Sequence, residues 1–211
     1  MSNNAIGAGN QQATLRRRVG GESSETICQA PFTKIEIVAY LNGALHDASL
    51  NKGKRFRFVQ KYVDWLEKLK KLLEEIGYRS WIYKEGKNRN LYVLETLCKE
   101  LNFAFNPNNL KTDREKIMYL RGFFDAEGGV PRIPGRFYVQ LVQKDYQKIA
   151  AIKQLLIDLK IESGKIHNPS HKVDPNYWRI FILVKYHDLF AKIIGSWHPI
   201  KSKIFSERLK I

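Results

Sequence analysis

The sequence predicts an α+β protein made of two related halves, and three observations carry that prediction. From Thr33 onward, apolar residues at helical spacing alternate with short two-faced strand patterns. The same order (helix, strand, helix, two strands, helix) runs a second time after Asp113. Two local matches then fall in corresponding elements. Tyr40-Leu41-x-Gly43 matches Tyr119-Leu120-x-Gly122 at an offset of 79 residues, and Val59-Gln60-Lys61 matches Val142-Gln143-Lys144 at an offset of 83. Unrelated halves would not place matching motifs in matching elements.

Residues 1–30 stand apart. They are rich in Ser, Asn, Gln, Gly and Ala and carry Arg16-Arg17-Arg18, which predicts a flexible basic arm. Its first acid is Glu22, so an organellar transit peptide stays open. Residues 31–109 form the first repeat. Ile35, Val38, Leu41 and Leu45 mark a helix from Thr33 to near Leu50, where Asn51-Lys52-Gly53-Lys54 turns the chain. Residues 55–61 alternate basic and aromatic, a strand with Arg55 and Arg57 on one face and Phe56 and Phe58 on the other. An amphipathic helix over 63–76 closes at Gly77, strands follow over 78–84 and 90–94, and a short helix is expected over 97–101. Asn106-Pro107-Asn108-Asn109 is the expected boundary.

The second repeat occupies 110–211. Asp113 is the expected N-cap of a helix over 115–126. A strand over 136–143, a helix over 146–159, strands over 161–167 and 177–185, a helix over 187–194 and a basic tail complete it.

Composition narrows the partner. The 211 residues hold 36 Lys+Arg against 21 Asp+Glu, a formal charge of +15 and a pI near 9.8, which points to a polyanion and first to nucleic acid. With 44% hydrophobic residues the chain can build a core. No apolar run approaches the roughly 20 residues of a membrane span. Cys28 and Cys98 lie in no metal-ligand spacing, nor do the five histidines, so both thiols are expected to be reduced and the protein intracellular. Trp65 and Trp81 are read as core.

The stretch from Tyr119 to Gly129 carries the chemistry. Gly122 lets another backbone approach, while Leu120, Phe123 and Phe124 supply an apolar face. Asp125 and Glu127 then arrive just before Gly128-Gly129. Acids at a helix C-terminus oppose the macrodipole, and a bound cation would compensate them. Carboxylates so placed are suited to hold a divalent cation, Mg²⁺ or alternatively Mn²⁺ or Ca²⁺.

Seven of the nine positions from Leu120 to Gly128 are identical or chemically close to the motif that names the LAGLIDADG homing endonucleases, and the chain resembles that family over roughly residues 33–200. The resemblance implies a monomeric, single-chain, two-repeat form with two pseudo-symmetric αββαββα units. Two central helices would pack at Gly43 and Gly122, and saddle-shaped antiparallel sheets would sit on a long double-stranded DNA target. It also implies an intron or other mobile insert as the gene's setting, and an acid at the end of each central helix above the scissile phosphates. Glu127 is that acid in the second repeat. The first motif, Leu41 to Ser49, is degenerate: the acid's place falls on Ala48 or Ser49. Asp47 is the expected partner if the helix end is one residue short, with His46 as a phosphate contact or proton carrier.

Gln60 and Gln143 resemble family positions that touch active-site water or DNA backbone, with Lys61 and Lys144 beside them. Lys185 resembles the place of the family's active-site lysine; the first repeat has Glu95-Thr96 there. DNA reading would fall to Arg55, Arg57, Lys84, Lys87, Arg89, Arg136, Gln140, Lys165, His171, Lys172 and Arg179, because Arg and Lys address guanine and Gln addresses adenine in the major groove. Lys201 and Lys203, after Trp197-His198-Pro199, would contact backbone phosphates. The alternative reading, favoured by the degenerate first motif, is a nickase, a cleavage-deficient nucleic-acid binder or an intron RNA maturase.

Overall fold

The computed structural model describes residues 31–133 and 135–209; the basic arm, with Arg16 to Arg18 and Cys28, lies outside them. The first repeat runs α1 (Lys34–Ala44), a 3₁₀ turn (Leu45–Asp47), β1 (Ala48–Asn51), β2 (Arg55–Gln60), α2 (Val63–Glu75), β3 (Ser80–Lys84) and β4 (Tyr92–Thr96). The second runs α3 (Asp113–Glu127), β5 (Gly128–Gly129), β6 (Gln140–Gln143), α4 (Tyr146–Asp158), β7 (Trp178–Phe181), α5 (His187–Ile193) and α6 (Pro199–Leu209). The first sheet is antiparallel in the order β1-β2-β4-β3. The second has the order β5-β6-β7, and bridges Ser163–Ile182 and His167–Arg179 put the 163–167 segment where β3 stands in the first. The fold is therefore α+β with two pseudo-symmetric repeats.

The central helices α1 and α3 join them. Thr33 and Glu36 form a capping box at the start of α1, and the same Glu36 carboxylate receives a two-pronged hydrogen bond from Arg114 at the start of α3, at 2.7 and 3.1 Å. Farther along, a Cβ on Gly43 would overlap the Tyr119 carbonyl, and one on Gly122 would overlap the Tyr40 carbonyl. Only glycine allows that approach, and the two contacts mirror each other at the 79-residue offset. One continuous core runs beneath both sheets, from Phe58, Trp65, Leu66 and Leu69 to Ile149, Ile152, Leu156 and Phe190.

Several expectations are corrected. The first helix stops at Ala44 rather than near Leu50, because 48–51 pairs with β2 through a tight hairpin whose Lys52 and Gly53 take φ of 50° and 66°. Residues 97–101 form no helix. Buried Asn42 accepts from the Asn102 N–H and donates to the Glu100 carbonyl, holding that segment open by tertiary hydrogen bonds. The N-cap of α3 is Thr112, whose hydroxyl accepts from the Glu115 N–H. The strands expected over 136–143 and 177–185 shrink to β6 and β7, and 161–167 makes only two bridges. The basic tail is helix α6, anchored by buried Phe205 stacking on Phe124 at 5.5 Å.

Candidate active site

The sheet register shows that Asp47 and Glu127 are equivalent. Ala48, the first residue of β1, pairs with Phe58, and Gly128, the first of β5, pairs with Leu141. Phe58 and Leu141 are themselves related by the 83-residue offset, so the residues just before the strands, Asp47 and Glu127, occupy one pseudo-symmetric position. Four residues separate Gly43 from Asp47 and five separate Gly122 from Glu127. The 3₁₀ turn reconciles the two counts. It rises about 2.0 Å per residue against about 1.5 Å for an α-helix, so each acid ends about 7.5 Å along the axis from its glycine.

The two acids share one field. Burial and the Asp47 charge push the Glu127 carboxyl up to about 7, against the opposing pull of Lys201 and Lys144. Asp47, at the exposed rim, is also raised, first by the protein mass around it, while Lys201 and a hydrogen bond from Gln60 pull the other way. Among the described residues no three of His, Cys, Asp and Glu converge as a metal cage. Two carboxylates both held toward the protonated form, Glu127 in part by the Asp47 charge, are nonetheless an oxygen donor set short of positive charge. That suits Mg²⁺, which takes few protein ligands and fills its shell with waters and substrate phosphates.

Behind the acids lies a second mirrored pair. The Tyr40 hydroxyl of α1 donates to Asp125 at 2.6 Å, and Tyr119 of α3 is 3.0 Å from His46 Nε2. Both pairs are related by the same offset of 79. Gln143 Nε2 donates to His46 Nδ1 at 2.8 Å, so Nε2 carries the proton toward Tyr119. Burial pushes the His46 imidazole down to about 4. His46 is thus a neutral pin between the repeats, not the phosphate contact or proton carrier expected. Asp125 is fully buried and accepts from Tyr40, the Ser196 hydroxyl and the Trp197 and His198 N–H groups, tying the start of α6 to the end of α3.

The remaining residues sort by sheet face. Gln60 and Gln143 end their strands on the same face as core residues Phe58 and Leu141, and both reach the end of the first repeat's helix. On the opposite face of the second sheet, Arg179 donates to Gln140 at 3.2 Å and lies over the Phe181 ring. On the first sheet, Arg57 pairs with Glu85, as does Arg89 at 3.7 Å, and Arg55 reaches Glu95 and lies over the Trp81 ring. Trp81, read as core, is exposed there. Glu95, unremarked as a ligand, is buried on this face and accepts from Asn51, Tyr83 and Arg55. Lys61, Lys84, Lys87, Arg136, Lys144, Lys165, His171 and Lys172 are exposed, and Lys203 pairs with Glu207. Lys185 is a correction: it sits in the 3₁₀ turn Val184–Tyr186, exposed and paired with Glu162 at 3.2 Å, not at a strand end facing the acids. Lys201 is the other. It is not a surface phosphate contact but a partly buried group whose Nζ donates to the Phe124 and Asp125 carbonyls.

Comparison with known proteins agrees with this geometry. Residues 114–195 match the family model for the LAGLIDADG-like domain. The chain is 28% identical over 194 residues to the homing endonuclease I-ApeI of Aeropyrum pernix, covering 81% of this chain and 86% of that protein. Its fold is that of I-DmoI, solved with DNA and Mn, at a TM-score of 0.59 and 20% identity over 77% of this chain and 98% of the other. It is equally that of the N-terminal LAGLIDADG domain of WhiA, at a TM-score of 0.62 and 19% identity over 86% and 92%. The motif, the mirrored glycines and the shared fold together make this chain similar to LAGLIDADG proteins: residues 114–195 carry the LAGLIDADG-like domain, and the fold is that of solved LAGLIDADG structures.

Proposed function

We propose that the protein is a divalent-metal-dependent, site-specific DNA endonuclease acting as a monomer. The observation that carries this reading is the equivalence of Asp47 and Glu127, one acid delivered by each central helix to one shared site. The +15 charge supplies affinity for the DNA backbone, and the sheet faces bearing Arg55, Arg57, Gln140 and Arg179 offer donors to base edges. The relatives support both partners: I-DmoI is solved with DNA and Mn, with DNA and Ca, and in variant form with its target DNA and Mg.

Asp47 and Glu127 would hold the metal, which when bound activates water and relieves charge at the phosphate. Gln60 orients the Asp47 carboxylate, leaving Glu127 the less restrained of the two. Lys144 sits exposed beside Glu127, where it can balance phosphate charge. The unequal helix ends keep a second reading in play, in which only one strand is cut or none, with nucleic-acid binding alone retained.

A supercoiled plasmid library with randomised inserts, incubated with Mg²⁺, tests the proposal. Recurrent linear product at a common sequence supports two competent acids. Nicked circles support the single-strand reading. Retention of plasmid or of structured RNA without any cut, at every Mg²⁺ and Mn²⁺ concentration, overturns the nuclease assignment.

A further inference from the structure

The C-terminal helix has no counterpart of its length in the first repeat, and it brings one lysine under the paired acids. Asp125 grips the segment before α6 through the Trp197 and His198 N–H groups at 3.0 and 3.3 Å and through the Ser196 hydroxyl. Trp197 is gripped in turn, with the Lys68 and Arg121 cations 4.4 and 4.8 Å from its ring centre and Tyr40 packed against it. Two residues into α6, Lys201 therefore has little freedom. Its Nζ donates to the carbonyls of Phe124 and Asp125 at 2.6 and 2.8 Å and lies 5.2 Å from the Phe124 ring centre. Those carbonyls belong to the last turn of α3, which carries the helix's negative end, and the Phe124 carbonyl also accepts the capping hydrogen bond from the Gly128 N–H. The same ammonium acts on both Asp47 and Glu127, favouring the charged carboxylate in each.

We propose that Lys201 is a positioning residue of this site: it fixes the α3 end that carries Glu127 and is a resident counter-charge to the Asp47–Glu127 pair. α6 is then part of the active site rather than a basic tail. This inference rests on the two acids forming a metal site, the reading proposed above. It assigns Lys201 the charge-balancing place that the sequence suggested for Lys185.

The two roles predict opposite changes when the side chain is cut back, which separates this idea from a general loss of stability. In the full chain, Lys201→Met removes one positive charge beside the acids, so Mn²⁺ alone, titrated by calorimetry, should bind about tenfold more tightly. Without its hydrogen bonds the acid-bearing turn is less well placed, and cleavage of the selected target should fall about 100-fold. DNA affinity should stay within about threefold. Lys201→Arg should return Mn²⁺ affinity to the wild-type value and recover part of the rate. Lys201→Gln, a milder change that keeps an amide donor, should tighten Mn²⁺ as Met does. Unchanged or weaker Mn²⁺ binding in the Met and Gln variants overturns the inference, as does an undiminished rate. A wild-type chain whose Mn²⁺ binding is lost in Glu127→Gln but which cuts nothing sinks the nuclease reading alone, because the metal comparison still decides the role of Lys201.

Discussion

Glu127 is the carboxyl on which the proposed chemistry turns. Its protonation midpoint moves from 4.5 to about 7 in the folded protein, chiefly through burial and then through Asp47. Because the folded value is the higher one, the stability tied to the protonated form is fully present below about 4.5 and lost as pH rises through about 7. Metal-free wild-type protein should therefore lose about 5 °C more than Glu127→Gln in melting temperature between pH 5 and 8, read by calorimetry in a chelator. Cleavage should run the other way, climbing over the same range as the carboxylate becomes available to a metal. Glu127→Gln should abolish cutting while DNA affinity in a gel-shift titration changes by no more than about threefold. Glu127 was legible as a candidate because it is the last acid of a glycine-bearing helix that resembles the LAGLIDADG motif. Asp47 was legible only as a nearby acid, since neither motif alignment places a carboxylate at the required position.

At the level of elements, the packed pair α1–α3 makes the site, and its glycines set how close the helix ends come. Gly43→Ala and Gly122→Ala each press a methyl group into a carbonyl of the facing helix. Either should cost about 2–3 kcal/mol in urea unfolding. The 3₁₀ turn makes a sharper prediction. Inserting one alanine between Leu45 and His46 restores the five-residue spacing of the second repeat, but it turns Asp47 by about 100° on an α-helical end. If the proposed nuclease cuts both strands, that insertion should convert linear product to nicked circles in the plasmid assay. Periodicity alone could not reveal the turn: Leu45 fits a helix in either form, and strand pairing by β2 decides where α1 ends. The expected helix over 97–101 failed for a related reason, because Asn42 captures its backbone groups.

Across the whole molecule, the charge needs a polyanion, and its effect should be measurable as salt sensitivity. Raising monovalent salt from 50 to 200 mM should weaken DNA binding by about 10³-fold if roughly six phosphates are neutralised, as fluorescence anisotropy would report. Much of the arginine on the first sheet is held by Glu85 and Glu95. Those ion pairs hold the guanidinium groups in fixed positions and reduce the free charge that the composition suggests.

By itself the sequence determined the α+β class, the duplicated order of elements, the glycines of the central contact and the acid at the end of the second helix. Each of these is written in local spacing, where side-chain period and backbone freedom decide the outcome. Only the tertiary structure decided that Asp47 and Glu127 are equivalent, that His46 is a neutral pin, and that Lys201 docks on the last turn of α3 while Lys185 pairs with Glu162. Those three depend on strand register, on burial and on a helix docking back from the far end of the chain, all of which are long-range.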